Sequence, residues 1–136
     1  MISTPPKKIH RSVGAIIRKD NKYLLMDRAV KPLGFACIAG HVEKGEDPDH
    51  ALRREVKEES NLEVTSAKLV GEGVIDDVEC VLGITQHEWK VYECQVKGML
   101  RPDAESLSMG WYTKEQMKNL KFEPSWEFWL RRLKII

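Results

Sequence analysis

GHVEKGEDPDHALRREVKEESNL, residues 40–62, is the stretch of this sequence that decides its fold. Its first part is a loop with glycines at positions 40 and 45, and its second part predicts a helix. Asp47 suits the N-cap position, and Pro48 suits the first helical position, where its missing N–H is not needed. Asn61 suits the left-handed residue that commonly follows a helix. The helix is therefore predicted to span residues 48–60.

Three glutamates of the predicted helix share one of its faces, because Glu55, Glu58 and Glu59 stand at i, i+3 and i+4. Like charges at this spacing repel each other, and burial beside Leu52 and Val56 would raise their pKa values unless a cation compensates them. Hard divalent cations prefer oxygen ligands, and Mg²⁺ in particular combines a few carboxylates with substrate phosphates. The face is therefore either a magnesium site or a solvated acidic surface, and the helix alone leaves both alternatives open.

The whole stretch resembles the Nudix box, the signature of hydrolases that act on a nucleoside diphosphate linked to another group. The matching positions, at the spacing of the box, are Gly40, Glu46, Arg54-Glu55-Val56, Glu58-Glu59 and Leu62. Two departures are Asn61, where the family usually has glycine, and Ile38-Ala39, where many members have Pro-Gly. Asparagine tolerates positive φ better than most residues, so the loop is expected to keep its conformation.

The resemblance implies a metal site and a general base. In the family, glutamates of this segment and a backbone carbonyl before the box glycine hold divalent cations. Carried onto this chain, the expected ion is Mg²⁺, with Mn²⁺ as a substitute, and the expected ligands are Glu55, Glu58, Glu59 and the carbonyl oxygen of Ala39. Glu58 is the first candidate for the base that takes a proton from water, with Glu55 or a downstream residue as the alternative.

The resemblance also implies residues that support this site. Arg54 and Glu46 are expected to form a network that fixes the rotamers of the catalytic glutamates. A further acidic ligand or base often comes from a downstream loop in the family, and Glu105 has a comparable setting here. Glu79 and Glu88 are its rivals, and an ordinary surface glutamate explains each of the three equally well.

Several other side chains are candidates for contact with a substrate. The expected substrate-binding residues are Phe35, Gly40, His41, Trp89 and Tyr92. The aromatic rings among them, like that of Trp111, can stack on a base, although each is also explained by core packing. Basic side chains near the box can meet phosphate charge, namely those of Arg11, Arg28 and Lys31. His10 and His87 have no recognisable partners in the sequence.

Composition bounds the class of protein. The 136 residues, of 15.7 kDa, predict one domain over residues 9–136 after a short lead-in, residues 1–8. The net charge of +1 favours neither a stable nucleic-acid complex nor a membrane partner, and no apolar run approaches the ~20 residues of a membrane span. Cys37, Cys80 and Cys94 are predicted to be buried thiols, which favours a reducing, cytoplasmic location. The chain is expected to be a monomer or a homodimer.

Hydrophobic patterning places the box between strands. Strands are predicted at residues 9–18, 22–26, 35–39, 63–70, 79–85, 88–96 and 108–112, with an irregular stretch over 71–77 and a hairpin joining the first two. Two further helices are predicted at 113–120 and from 124 onwards. The second carries an apolar stripe, Trp126, Trp129, Leu130 and Leu133, which favours core packing over a dimer contact or ligand wall. The order predicts an α/β fold, in agreement with the Nudix-type α/β/α sandwich with a mixed β-sheet.

Subfamily markers are absent from the sequence. No proline stands near Val78, where ADP-ribose-type members carry one, and no tyrosine stands between Leu62 and Val91, where dinucleoside-polyphosphate members tend to have it. By elimination, the resemblance implies a MutT-like (d)NTP pyrophosphohydrolase in which water attacks a phosphoryl group. The alternatives are a hydrolase of ADP-ribose, a nucleotide sugar or a dinucleoside polyphosphate, and a non-catalytic nucleotide sensor. The presence of all three box glutamates favours an enzyme over the sensor.

Overall fold

The computed structural model describes residues 9–75 and 86–136. Within them lie seven strands and three helices: β1 (Ile9–Lys19), β2 (Lys22–Arg28), β3 (Phe35–Ala36), β4 (Ile38–His41), α1 (Pro48–Ser60), β5 (Glu63–Ile75), β6 (Gln86–Lys97), β7 (Ser106–Thr113), α2 (Lys114–Met117) and α3 (Pro124–Arg132). The strand predicted at 79–85 lies outside the described residues.

β1 is the central strand of the sheet. It pairs in parallel with β6, from Ile9 opposite Gln86 to Ile17 opposite Cys94, and its other edge pairs antiparallel with β4. β5 pairs antiparallel with β6, while β2 carries both β3 and β7. The predicted hairpin is confirmed, but β1 and β2 pair only over two residues each, next to a turn in which Asp20 and Asn21 both have positive φ. The sheet is therefore mixed.

α1 has the bounds and the caps that its sequence predicts. The side chain of Asp47 accepts a hydrogen bond from the backbone N–H of Asp49, Pro48 stands in the first turn, and Asn61 adopts the left-handed conformation with φ 66°. Asparagine therefore serves where the family usually has glycine. The helix packs on β1, β4 and β5, which places its buried side next to the loop that precedes it.

α3 covers the sheet through two tryptophans. Trp126 and Trp129 are each 1% exposed, and Leu130 is fully buried, so this part of the apolar stripe is core, as predicted. The ring of Trp126 lies so close to β1 that a Cβ at Gly14 would be 2.6 Å from it. With helices flanking a mixed sheet, the predicted α/β fold class is confirmed.

Three elements differ from the predictions by more than the one or two residues at an end that separate the other strands from theirs. The apolar run at 35–39 is divided between β3 and β4, because the chain changes its pairing partner from β2 to β1 at Cys37. β5 continues to Ile75, where an irregular stretch was predicted, because β6 is long enough to pair with it throughout. The register of this pairing shifts between Leu69 and Gly71, and Gly71 gives room for Trp129. α2 ends at Met117 and is shorter than predicted, although its capping box between Thr113 and Gln116 is present.

Burial also bears on the cysteines and on membrane association. Cys37 and Cys94 are buried free thiols, as predicted, whereas Cys80 lies outside the described residues. Among the helices of the described ranges, none is both long and apolar enough to cross a membrane.

Candidate functional site

A cleft of about 580 Å³ opens beside the acidic face of α1. Its walls come from β1, β4, β6, the loop after β2, the loop before β7 and the beginning of α3. Among the residues singled out from the sequence, it is lined by Ala39, Gly40, His41, Glu55, Glu58, Glu59, Trp89 and Glu105, together with Arg28 and Lys31. The structure therefore brings most of the predicted site residues to one surface.

Arg54 connects the loop and the helix that form this surface. Its guanidinium donates two hydrogen bonds to the carboxylate of Glu46, with N–O distances of 2.8 and 2.9 Å. Nη1 also donates to Glu55 at 2.8 Å and to Glu58 at 3.3 Å, and Nη2 donates to the backbone carbonyl of His41 at 3.0 Å. Arg54 thus fixes two helical glutamates relative to the loop. These bonds hold the pKa of Glu46 well below its ordinary value.

Glu55 is held from two sides. Nη1 of Arg54 binds one of its carboxylate oxygens, and the carboxyl group itself occupies the space where a side chain at position 40 would begin. Position 40 therefore has to be a glycine, because a Cβ there would overlap the carboxyl group of Glu55. Burial raises the pKa of Glu55, and the adjacent Arg54 opposes this shift.

Glu59 is the most buried of the three helical glutamates of the site. It is 3% exposed, and its Oε2 has no hydrogen-bond partner among the described residues. Burial raises its pKa to about 10, and the negative charges of Glu55, Asp103 and Glu105 add to the shift. Such a group needs either a proton or a cation, because a desolvated charge without a partner is highly unfavourable.

The donor set fits a hard divalent cation. Glu55, Glu59 and the more exposed Glu58 supply carboxylate oxygens, and Ala39 on β4 lines the same cleft. Oxygen-only coordination of this kind suits Mg²⁺. The unpartnered Oε2 of Glu59 is the clearest sign that the surface accommodates a positive charge.

Some of the sequence candidates lie elsewhere. Phe35 and Tyr92 do not line the cleft. Phe35 packs against Tyr112, with ring centroids 5.7 Å apart. Burial, together with the nearby charges of Asp49 and Asp47, raises the pKa of Tyr92. Arg11 and Glu88 line a separate small depression instead of the cleft. Glu79 lies outside the described residues.

The cleft also contains residues that the sequence did not reveal. Asp103, Ser12, Glu123, Ser125 and Trp126 line it, although they come from distant parts of the chain. Of these, Trp126 alone had a signal in the sequence, because a ligand wall was one alternative for the tryptophans of the apolar stripe of α3. The others become neighbours through strand pairing and loop placement, which leave no local pattern.

A cluster of histidines adjoins the same cleft. The rings of His10 and His41 lie with centroids 4.3 Å apart, and His87 lies 6.0 Å from the first and 5.8 Å from the second. Burial and the neighbouring positive charges lower the pKa of His41 to about 4, and burial also lowers the pKa of His87. His10 and His87, which had no recognisable partners in the sequence, are therefore partners of each other and of His41.

The geometry of the box has its counterpart in known proteins. The NUDIX domain family model matches residues 8–133, and the chain belongs to the Nudix family. The chain is similar to an ADP-ribose pyrophosphatase of Methanocaldococcus jannaschii, with 44% identity over 62 residues. The match covers 44% of this chain and 37% of that protein, so it spans little more than a third of the relative's length.

Two solved structures illustrate the shared fold. The MutT NUDIX hydrolase from Burkholderia pseudomallei superposes with a TM-score of 0.79 at 22% identity, covering 92% of this chain and 98% of that one. The MutT protein from Methanosarcina mazei Go1 superposes with a TM-score of 0.78 at 19% identity, and the match covers 96% of both chains. At this identity the likeness establishes the fold alone.

Proposed function

We propose that the protein is a Mg²⁺-dependent pyrophosphohydrolase that cleaves a phosphoanhydride bond of a nucleoside-diphosphate compound. The observation that carries this proposal is the buried carboxylate of Glu59, which lies beside Glu55 with an unpartnered oxygen turned from solvent. Three glutamates at helical spacing and an arginine that orients two of them support it. The membership of the Nudix family supports it independently.

The proposed ligands of Mg²⁺ are Glu55, Glu58, Glu59, the carbonyl oxygen of Ala39 and, from the loop before β7, Glu105. When bound, Mg²⁺ polarises phosphoryl oxygens and lowers the pKa of coordinated water. The role of Arg54 in this scheme is to position carboxylates, because its five N–H groups form a rigid fork that is already fully engaged by Glu46, Glu55, Glu58 and the carbonyl oxygen of His41. Glu46 in turn holds the guanidinium in place.

Glu58 is the proposed general base. Its side chain is 56% exposed, whereas that of Glu55 is 15% exposed and lies against Gly40. The contact of Glu58 with Arg54 is also the longer one, at 3.3 Å against 2.8 Å for Glu55, so Glu58 is the less restrained of the two. It can reach a water molecule in the cleft and accept its proton as the water oxygen attacks phosphorus. Glu55 is the alternative base, and its fixed position favours a ligand role instead.

Phosphate charge would be met by basic side chains of the cleft. Arg28 and Lys31 line it, and Nε of Arg28 donates to the carbonyl of Pro32 at 2.8 Å, which restrains the guanidinium. Trp89 is 6% exposed and packs edge-to-face on Trp126, so it offers the substrate the floor of the cleft and not a free face for stacking. Gly40 and His41, at the end of β4, are proposed to contact phosphate oxygens of the substrate.

The first candidate substrate is a nucleoside or deoxynucleoside triphosphate, cleaved to a monophosphate and pyrophosphate. The second is ADP-ribose, which is favoured by one specific observation: the relative with 44% identity over 62 residues is named an ADP-ribose pyrophosphatase. Both substrates contain a diphosphate that can bind at the same acidic face. They differ in the group attached to the diphosphate, which the remainder of the cleft must accept.

A substrate panel with product analysis tests this proposal. The protein is incubated with Mg²⁺ and with NTPs, dNTPs, ADP-ribose, nucleotide sugars and diadenosine polyphosphates, and the products are separated by chromatography. Release of a monophosphate with pyrophosphate supports the triphosphate assignment, whereas AMP with ribose 5-phosphate supports ADP-ribose. Tight nucleotide binding without any product would contradict an enzyme and favour a nucleotide sensor.

A further inference from the structure

Three of the four histidines of this chain lie on three adjacent strands. His10 on β1 stands opposite His87 on β6 in the parallel register, so both side chains project from the same face of the sheet. His41 on β4 stands opposite Ser12 of β1. Ser12 follows His10 by two residues and projects from the same face of the sheet, so the side chain of His41 lies on that face as well. The cluster therefore lies across three adjacent paired strands, near the first residues of β1 and β6 and at the last residue of β4.

The nitrogen atoms of the cluster have the spacing of metal ligands. Nδ1 of His10 and Nε2 of His41 are 3.4 Å apart. Two imidazole nitrogens bound to one tetrahedral Zn²⁺ at about 2.0–2.1 Å lie roughly 3.3–3.4 Å from each other. One nitrogen of each of the three rings lies within 4.8 Å of the other two, so the third ligand needs only a small side-chain adjustment.

The surroundings of His41 and His87 favour the neutral form of the ring, which is the form that binds metal. Within residues 9–75 and 86–136, none of the three forms an ion pair with a carboxylate, whereas His50 does so with Glu46. His87 is 4% exposed, and burial disfavours its charged form. A neutral imidazole is the ligand that Zn²⁺ takes from histidine.

We propose that His10, His41 and His87 form a site for a borderline transition-metal ion such as Zn²⁺, with three imidazole ligands and a fourth position open to the cleft. His41 and His87 line the cleft, so water or a substrate oxygen has access to that position. Nitrogen ligands distinguish this site from the carboxylates of α1, which suit Mg²⁺. The site requires no nucleotide and stands whether or not the proposed hydrolysis occurs.

Titration of the metal-free protein with Co²⁺, followed by visible absorption, tests the proposal. Four-coordinate Co²⁺ with imidazole ligands absorbs strongly in the visible range, whereas six-coordinate Co²⁺ with oxygen ligands absorbs weakly. The variants are His10→Asn and His87→Asn, and His50→Asn is the matched control because His50 is the one histidine outside the cluster. A Glu55→Gln and Glu58→Gln double variant removes the carboxylate alternative. Circular dichroism without metal verifies the fold of each variant.

The expected result is an intense spectrum with one Co²⁺ per chain, displaced by Zn²⁺ but not by excess Mg²⁺. His10→Asn and His87→Asn should each weaken binding by at least about tenfold, since loss of an outer partner alone has effects of this size. The control and the glutamate variant should retain the spectrum. A weak six-coordinate spectrum, binding that survives His87→Asn, or binding abolished only by the glutamate variant overturns the proposal. Should a variant not fold, NMR of the wild-type protein decides the same question. Addition of Zn²⁺ should shift the imidazole signals of the three clustered histidines and leave that of His50 unshifted.

Discussion

The carboxyl group of Glu55 lies directly against the α-carbon of Gly40, in the space that any side chain at position 40 would occupy. The backbone of Gly40 is at the same time the partner of Val13 in the pairing of β4 with β1. A glycine of β4 and a glutamate of α1 are thus packed together by shape, and Arg54 holds the same carboxylate by charge. The position of this carboxylate depends on both contacts.

Gly40→Ala should displace the carboxylate of Glu55 and lower kcat by about a hundredfold, since misplacement of a catalytic group by 1 Å has effects of this order. Steady-state kinetics at saturating Mg²⁺ measure the change. Gly73→Ala is the matched control, because a Cβ there would lie 3.8 Å from Trp129, at ordinary van der Waals distance. Wild-type kcat in Gly40→Ala would show that the contact does not position the glutamate.

Arg54→Lys should lower kcat by roughly 10–100-fold, because lysine retains the charge but cannot bind Glu46 through two N–H groups while also reaching Glu55 and Glu58. The dependence of the rate on Mg²⁺ concentration should shift to higher concentration as the glutamates lose their orientation. Arg53→Lys, at the preceding position, is the control, since Arg53 pairs with the exposed Asp49 and the carbonyl oxygen of Val64 and contacts none of the box glutamates, all of which lie within the described residues. Equal activity of the two variants would remove the positioning role.

Glu123→Gln should change the dependence of stability on pH. Glu123 caps α3 by accepting a hydrogen bond from the backbone N–H of Trp126, and burial raises the pKa of its carboxyl above the usual 4.5. Between pH 4.5 and the raised pKa, the folded state holds a proton that the unfolded state has lost, so stability falls as pH rises through that window. Glutamine can accept the same hydrogen bond without a charge.

Urea unfolding of Glu123→Gln from pH 4 to pH 8 should therefore show a smaller decline in the free energy of unfolding than the wild type does, and a higher value at neutral pH. Glu127→Gln, on the exposed side of the same helix, should leave the wild-type decline unchanged. The prediction is wrong if both variants decline in parallel with the wild type.

The buried cysteines should resist alkylation in the folded protein. Burial raises the pKa of Cys94 to about 12 and that of Cys37 further still, so neither thiol ionises appreciably at neutral pH, and the thiolate is the reactive form. Mass spectrometry of peptides after iodoacetamide treatment should find both unlabelled until denaturant is added. Rapid labelling of Cys37 under native conditions would contradict its burial.

Local signals account for what the sequence predicted of the fold. Asp47, Pro48 and Asn61 fix the ends of α1 through contacts within a few residues, and these ends agree with the structure. The change of partner at Cys37 had no such signal, because it depends on which distant strand offers a free edge. The extension of β5 beyond Gly71 depended in the same way on β6, and the glycine at position 71 on Trp129, which lies 58 positions later in the chain.

The same contrast holds for the candidate site. The glutamates of α1 are neighbours through helical periodicity alone, so their common face was readable from the sequence. His10 and His87 meet only through the parallel pairing of β1 with β6, and a parallel register leaves no trace in either segment. Phe35 and Tyr92 are aromatic residues that could stack on a base, but neither side chain lines the cleft, and composition does not reveal the direction of a side chain on a strand.

The central claim is that the glutamates of α1 hold Mg²⁺ for the hydrolysis of a phosphoanhydride. Its most direct test is the rate of product release by wild type and Glu58→Gln, each with and without Mg²⁺, with nucleotide affinity measured in parallel. We predict hydrolysis only with a divalent cation, a loss of kcat of about 10²–10⁴-fold in Glu58→Gln with affinity largely kept, and wild-type rates in the exposed control Glu72→Gln. Undiminished turnover in Glu58→Gln, or hydrolysis by the wild type without divalent cations, would contradict the claim.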